Sequence, residues 1–168
     1  DYCGEITPQK IGERVTVCGW VQRQRDLGGL IFIDLRDRTG LIQLQFDESV
    51  EKEAFQAFTV RSEYVLEVSG TVAKRGGAVN PNLKTGMLEV LADSIKIWSK
   101  AKTPPFEIVE NSNVNEELRL KYRYLDLRRP NLQGNILMRH RITKITRDYF
   151  DEQGFIEIET PILMKSTP

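Results

Sequence analysis

Five stretches in the first hundred residues alternate apolar and polar side chains with the two-residue period of a half-buried strand. RVTVCGWVQRQR (14–25) begins half-buried and ends polar, and Gly19 in its middle permits the bend or bulge that a small barrel needs. LIFIDLRD (30–37) puts Ile31, Ile33 and Leu35 on one face, and LIQLQF (41–46) does the same with Ile42, Leu44 and Phe46. Thr39-Gly40 is turn material between them. The fourth run, 64–73, sets Tyr64, Leu66 and Val68 against Val65, Glu67 and Ser69; the fifth, 87–98, is interrupted near Asp93-Ser94. Between the third and fourth runs, residues 49–61 carry Val50, Ala54, Phe55 and Phe58 on one helical face, which predicts a short amphipathic helix. Residues 74–86, rich in Gly, Asn and Pro, predict a long loop.

Three strands, a helix and two strands is the element order of an OB-fold, a five-stranded Greek-key barrel. A different small barrel stays open, and the helix between strands three and four favours the OB order. After Trp98 the pattern changes. KAKTPPFEIVENSNVNEE has a Pro-Pro pair and little periodicity and reads as a linker. EELRLKYRYLDLRR (116–129) is helix-prone and basic, and a longer helix is predicted from about Leu132 to Gln153, with Met138, Ile142, Ile145 and Tyr149 as its stripe and Gly154 as its stop. FIEIETPILM then alternates like a strand. One helix and one strand cannot bury a core of their own. The chain therefore divides into a mainly β barrel (1–100), a linker or hinge (101–130) and the start of a further domain (131–168).

Composition narrows the function classes only locally. Lys plus Arg and Asp plus Glu both number 24, so no global charge marks a partner. Residues 118–147, however, hold nine Lys or Arg against one acid, Asp126. No apolar run approaches the ~20 residues that span a bilayer, and DYCGEI is no signal peptide, which points to the cytoplasm and away from membranes. With no initiator Met, at least one residue is expected to precede Asp1. Cys3 and Cys18 fit no zinc spacing and are expected to be reduced. The lone His140 on a basic helix carries little metal or acid–base promise, and no Ser-His-Asp set, P-loop or dinucleotide fingerprint occurs. Asp34 and Asp37 are expected to pair with Arg36 and Arg38.

One residue breaks the barrel pattern. If the isoleucines of 30–37 face the core, Phe32 stands on the outer face among polar neighbours. OB-folds bind single strands on the face of strands two and three, where aromatic rings stack on bases and cations meet phosphates. Phe32, with Gln43 and Gln45 on the polar parity of the next strand and Arg23, Arg25 and Arg36 nearby, makes a coherent RNA site. The plainer alternative is a ring packed under a loop beside solvated arginines. Gly28-Gly29 serves either a close backbone approach to a ligand or a tight hairpin turn.

RQRDLGGLIFIDLRDRTGLIQLQF, LKYRYLDLRRP and GFIEIETPILMKSTP together resemble the bacterial-type aspartyl-tRNA synthetases, and the likeness runs from YCGEI to STP. Each stretch alone points only to the wider group with the asparaginyl and lysyl enzymes. The resemblance implies an N-terminal OB-fold gripping the tRNA anticodon, a hinge, and a class II catalytic domain. Phe32 falls where the family has its platform for the central anticodon base, and Arg23, Arg25 and Gln43 where it contacts the anticodon loop. Arg75 and Asn80 or Asn82 lie in the loop that reaches the first and neighbouring bases, and Glu89 matches an acid that reads the first base. The basic hinge, with Arg128 and Arg129, either touches tRNA, or is solvated on the helix surface or paired within the chain.

GFIEIETP is similar to class II motif 1, a helix and strand carrying Pro161, which builds the homodimer interface in that class. Motifs 2 and 3, which hold ATP and the amino acid, do not occur in these residues. The chain is thus expected to be a fragment ending just after motif 1, without catalytic, cofactor or metal residues. The full-length enzyme would use ATP and Mg to make aspartyl-adenylate and pass aspartate to tRNA. Leu27, where relaxed members of the family have His, leans toward charging the aspartate tRNA alone. A free-standing single-strand-binding OB protein and an asparaginyl or lysyl synthetase fragment are the alternatives.

Overall fold

The computed structural model describes residues 1–47, 50–163 and 165–166. Ser49 of the expected first helix and Met164, Thr167 and Pro168 of the C-terminal motif lie outside the described residues. The chain forms two units, residues 1–104 and 105–168.

The first unit is a closed barrel of β1 (Arg14–Leu27), β2 (Leu30–Arg36), β3 (Leu41–Phe46), β4 (Val65–Lys74) and β5 (Leu88–Ser99), with α1 (Glu51–Thr59) between β3 and β4. The order around the barrel is β1-β2-β3-β5-β4, closed by the β1–β4 pair. Only β3 and β5 run parallel; the other four pairings are antiparallel. This is the OB arrangement that the element order predicts. Inward positions hold Val15, Val17 and Val21 of β1, Ile31, Ile33 and Leu35 of β2, and Ile42, Leu44 and Phe46 of β3. Leu66, Val68, Val72, Leu88 and Val90 complete the wall, while Cys3 and Ile6 of the N-terminal segment join the same core. Burial pushes the Cys3 thiol up to about 12, the charge of Asp37 adding to it, so this cysteine stays an inert apolar filler.

Three local expectations change. The bulge in β1 lies between Val21 and Arg23, not at Gly19. Gly19 faces inward, and a Cβ there would come 2.4 Å from the Arg36 carbonyl oxygen, so glycine permits the close crossing of β2. Helix α1 turns Ala57 and its neighbour Ala54 to the barrel and leaves Phe55 and Phe58 exposed. Small residues let this short helix sit close on the barrel, where two rings would hold it off. Asp34 and Asp37 do not pair with Arg36 and Arg38. Arg36 grips Glu63 at 2.9 Å, and Arg38 lies over the Tyr2 ring.

Asp37 instead builds the β2–β3 turn. Its Oδ1 accepts from Thr39 N–H (2.7 Å) and Gly40 N–H (3.1 Å), and its Oδ2 from Cys3 N–H (2.6 Å). Burial raises its pKa, but the hydrogen bond from the Thr39 hydroxyl, together with these backbone N–H groups, outweighs that and holds the carboxyl below its ordinary value. The interruption expected in β5 is a bulge: Ser69 pairs with Ser94 and Gly70 with Ala92, which leaves Asp93 over.

In the second unit the basic helix is broken at Tyr122 into α2 (Glu116–Lys121), capped by the Asn115 side chain, and α3 (Arg123–Asp126). Asp126, fully buried, accepts from Arg119, Arg123 and Arg129. Burial alone would raise its pKa; the arginines hold it below the ordinary carboxylate value. Arg129 is itself buried, its Nε donating to the Val109 carbonyl at 3.0 Å. Its role here is pairing within the chain.

Helix α4 (Pro130–Glu152) begins on Pro130, whose ring suits the first helical position. It ends in a Schellman turn, with Gly154 at φ 81° and Phe155 N–H donating to the Phe150 carbonyl. Met138, Ile142, Ile145 and Tyr149 of its stripe are exposed. The strand expected over 155–164 is absent from the described residues: alternation suits a strand, but a ladder needs a partner edge, and no strand pairs with this one.

Candidate nucleic-acid interface

The outer face of β1, β2, β3 and β5 carries two cross-strand rows. In the first, Arg25 faces Phe32, Phe32 faces Gln45, and Gln45 faces Leu91. In the second, Arg23 faces Asp34, Asp34 faces Gln43, and Gln43 faces Glu89. The alternation of β2 and β3 thus puts Phe32 outward while Ile31 and Ile33 fill the core. The bulge before Arg23 shifts β1 by one residue, so both Arg23 and Arg25 land on this face.

Phe32 is half-buried, leaning on its neighbours, and the Arg25 guanidinium lies 5.9 Å from its ring centroid. This is the outer limit of a cation–π contact. Arg25 Nη2 donates to Asp34 Oδ1 at 2.8 Å and to Gln43 Oε1 at 3.2 Å. Gln43 Nε2 donates onward to Glu89 Oε2 at 2.8 Å, and the Gly76 N–H donates to Glu89 Oε1 at 3.0 Å. A single polar chain therefore runs from β2 through β1 and β3 to β5 and the loop after β4. Outward parity led to an exposed Gln43, yet it is 6% exposed and Glu89 3%. The Arg25 head group and the loop fold over them.

The loop after β4 is built rather than slack. Asn80 N–H donates to the Gly86 carbonyl, and the Asn80 side-chain oxygen accepts from Asn82 N–H at 3.1 Å. Gly86 packs so close that a Cβ would lie 1.8 Å from the Asn80 carbonyl oxygen. Thr85, buried, donates to the Leu41 carbonyl and ties the loop to β3. Asn80 spends its oxygen on this turn and keeps its amide hydrogens for other partners; Asn82 is exposed. Arg75 opens the loop, its N–H donating to the Met87 carbonyl. Among the described residues, the buried side-chain nitrogens without a hydrogen-bond partner are Nε of Arg25 and of Arg75. Each carries a desolvation penalty of about 1–3 kcal/mol, and both belong to arginines expected at the RNA site.

Gly28 and Gly29 have φ of 68° and 98° and connect the Leu27–Leu30 pair. Two positive φ values in a two-residue loop make the primed hairpin turn that matches strand twist, so the glycines serve the turn. Leu27 projects at its base, 64% exposed. Pro161 lies in the unpaired, exposed C-terminal segment. Among the described residues no cluster of His, Cys, Asp and Glu could hold a metal, and no helix is long and apolar enough to cross a membrane. Sequence reading missed Asp34 and the Gly76 N–H as members of the face. Cross-strand register would have found the first, since Asp34 and Gln43 share a row; the second is a backbone group that no side-chain pattern reveals.

The OB-fold nucleic acid binding domain profile matches residues 15–98, and the profile of class II tRNA synthetases (D, K and N) matches residues 115–168. An aspartate–tRNA(Asp/Asn) ligase from Anoxybacillus flavithermus is 61% identical over 99% of this chain and 28% of its own length. An aspartate–tRNA ligase from Ruminiclostridium cellulolyticum is 56% identical over the same shares. The chain thus spans little more than a quarter of the length of these relatives. Among solved structures, the asparaginyl-tRNA synthetase from Pyrococcus horikoshii superposes with a TM-score of 0.82 at 28% identity, over 98% of this chain and 38% of that one. The aspartyl-tRNA synthetase from Entamoeba histolytica shares the fold, with a TM-score of 0.82 at 23% identity over 94% and 38%. Matched by that profile over half its length, and by aspartate–tRNA ligases over nearly all of it, the chain belongs to the OB-fold nucleic acid binding domain family.

Proposed function

We propose that the barrel reads the anticodon loop of an aspartate-accepting tRNA as the N-terminal part of an aspartate–tRNA ligase. The observation that carries this is the Phe32 ring, turned outward beside Arg25 with the Gln43–Glu89 pair in the next row. The ring stacks on a base, Arg23 and Arg25 meet phosphate or base edges, and the Gln43 amide and Glu89 carboxylate supply directional groups for a base edge. Arg75, Asn80 and Asn82 approach neighbouring bases from the loop. Names of relatives at 56–61% identity favour aspartate over asparagine or lysine as the amino acid. They include both strict and Asp/Asn forms; exposed Leu27, beside the hairpin, leans to the strict one.

The whole protein, on this reading, forms aspartyl-adenylate from aspartate and ATP with Mg and transfers aspartate to tRNA in the cytoplasm. Its homodimer would use the segment containing Pro161 and the exposed stripe of α4. The 168 residues alone bind and do not catalyse. Titrating the chain with an aspartate anticodon stem-loop and with the same stem-loop carrying a scrambled anticodon tests the reading. Preference for the first is expected; equal affinity would leave only generic nucleic-acid binding.

A further inference from the structure

Two carboxylates sit in the middle of a face meant for a polyanion. Glu89 has both oxygens engaged, by the Gln43 amide and the Gly76 N–H; Asp34 has its Oδ1 turned to Arg25. By charge alone, an acid beside phosphates should weaken binding. Its presence asks for a compensating role.

The hydrogen bonds supply one. Arg25 sits directly opposite Phe32, and its head group reaches one row along the sheet to Asp34 and Gln43. The 2.8 Å ion pair fixes the guanidinium beside the ring. The same Nη2 then engages the Gln43 oxygen, which turns the Gln43 nitrogen to Glu89. A pair one-quarter to one-third exposed adds little to stability, so its effect lies in placement. We propose that Asp34 is a positioning residue of the interface: by holding Arg25 against Phe32 it sets the direction of the Gln43 amide and hence the groups a base meets. This rests on the reading that the face binds RNA.

The sign of one substitution separates placement from charge. Asp34→Asn removes the acid and nearly nothing else. Placement predicts about tenfold weaker binding of the anticodon stem-loop, with a melting temperature near that of the parent. In an Arg25→Gln background the same change should cause no further weakening. In the RNA-free protein, the Arg25 Nε–H signal in a nitrogen-15 spectrum should shift and exchange faster with solvent on Asp34→Asn. Tighter binding by Asp34→Asn, equal weakening in both backgrounds, or an unmoved Arg25 signal would each overturn the proposal. A parent chain that ignores the anticodon removes the functional reading alone, and the Arg25 signal then still decides whether Asp34 holds the arginine.

Discussion

Phe32 and Ile33 are adjacent and of opposite parity, so truncating each to alanine separates binding from folding. Ile33 is fully buried in the barrel. Ile33→Ala removes its burial and leaves a cavity between β1 and β3, at a cost of about 2–5 kcal/mol of stability. Phe32 is only half-buried, against Arg25 and its row neighbours. Half of the ~3–5 kcal/mol that a core phenylalanine loses on truncation gives about 2 kcal/mol as the stability cost of Phe32→Ala. Its binding cost is of the same size: one lost base stack is about 1–3 kcal/mol, or about 5- to 150-fold in Kd at 25 °C. Thermal melts give the first quantity. Fluorescence anisotropy with a labelled anticodon stem-loop, run where both variants remain folded, gives the second. Ile33→Ala should melt early and bind per folded molecule like the parent. The reasoning fails if Phe32→Ala melts as early as Ile33→Ala while keeping its affinity, since the ring would then be core.

Other outcomes follow from the same geometry. Stem-loop affinity should fall with salt, log Kd changing by about 0.7 per phosphate neutralised for each tenfold step in salt; titrations at two salt concentrations check this, and a flat response would remove the phosphate contacts. The Asp37 and Asp126 carboxyls are held below 3.8, so folding favours their ionised forms. Their stabilisation is complete above the unfolded value and is lost as pH falls through the lower folded values. Melting temperatures should thus hold from about pH 7 to 5 and drop below about pH 4; a drop already complete at pH 5 would implicate other groups. Aspartate-dependent pyrophosphate exchange by the purified 168-residue chain should stay at background, and any exchange above it would put catalytic residues in this segment.

The barrel was legible because its walls obey a local rule. Alternation at 31–35 and 42–46 names the inward residues without reference to anything distant, and the structure buries all of them. What alternation cannot say is what lies over the outward residues. Gln43 has outward parity and is still buried, because an arginine two strands away, in the adjacent row, folds across it. The face of α1 was misjudged for a related reason: hydrophobicity ranks Phe55 and Phe58 above Ala57, but close approach to a curved wall favours the small residue. The bulge in β1 adds one residue between Val21 and Arg23 without ending the strand, which the side-chain pattern does not mark. FIEIET shows the converse limit, a strand pattern without a ladder.

The pairing of Gln43 with Glu89 joins residues 46 apart in the chain, across the one parallel strand pair. Parallel and long-range pairings form late, because loop closure must precede the contacts that reward it. The polar chain across the face therefore cannot exist in a nascent chain that ends before β5. During synthesis, at about 5–20 residues per second, the first three strands present Phe32 and both arginines for several seconds before Glu89 and its loop arrive. On the proposed reading, the three strands of that interval would offer RNA charge and stacking alone. Discrimination among anticodons would begin with the fifth strand.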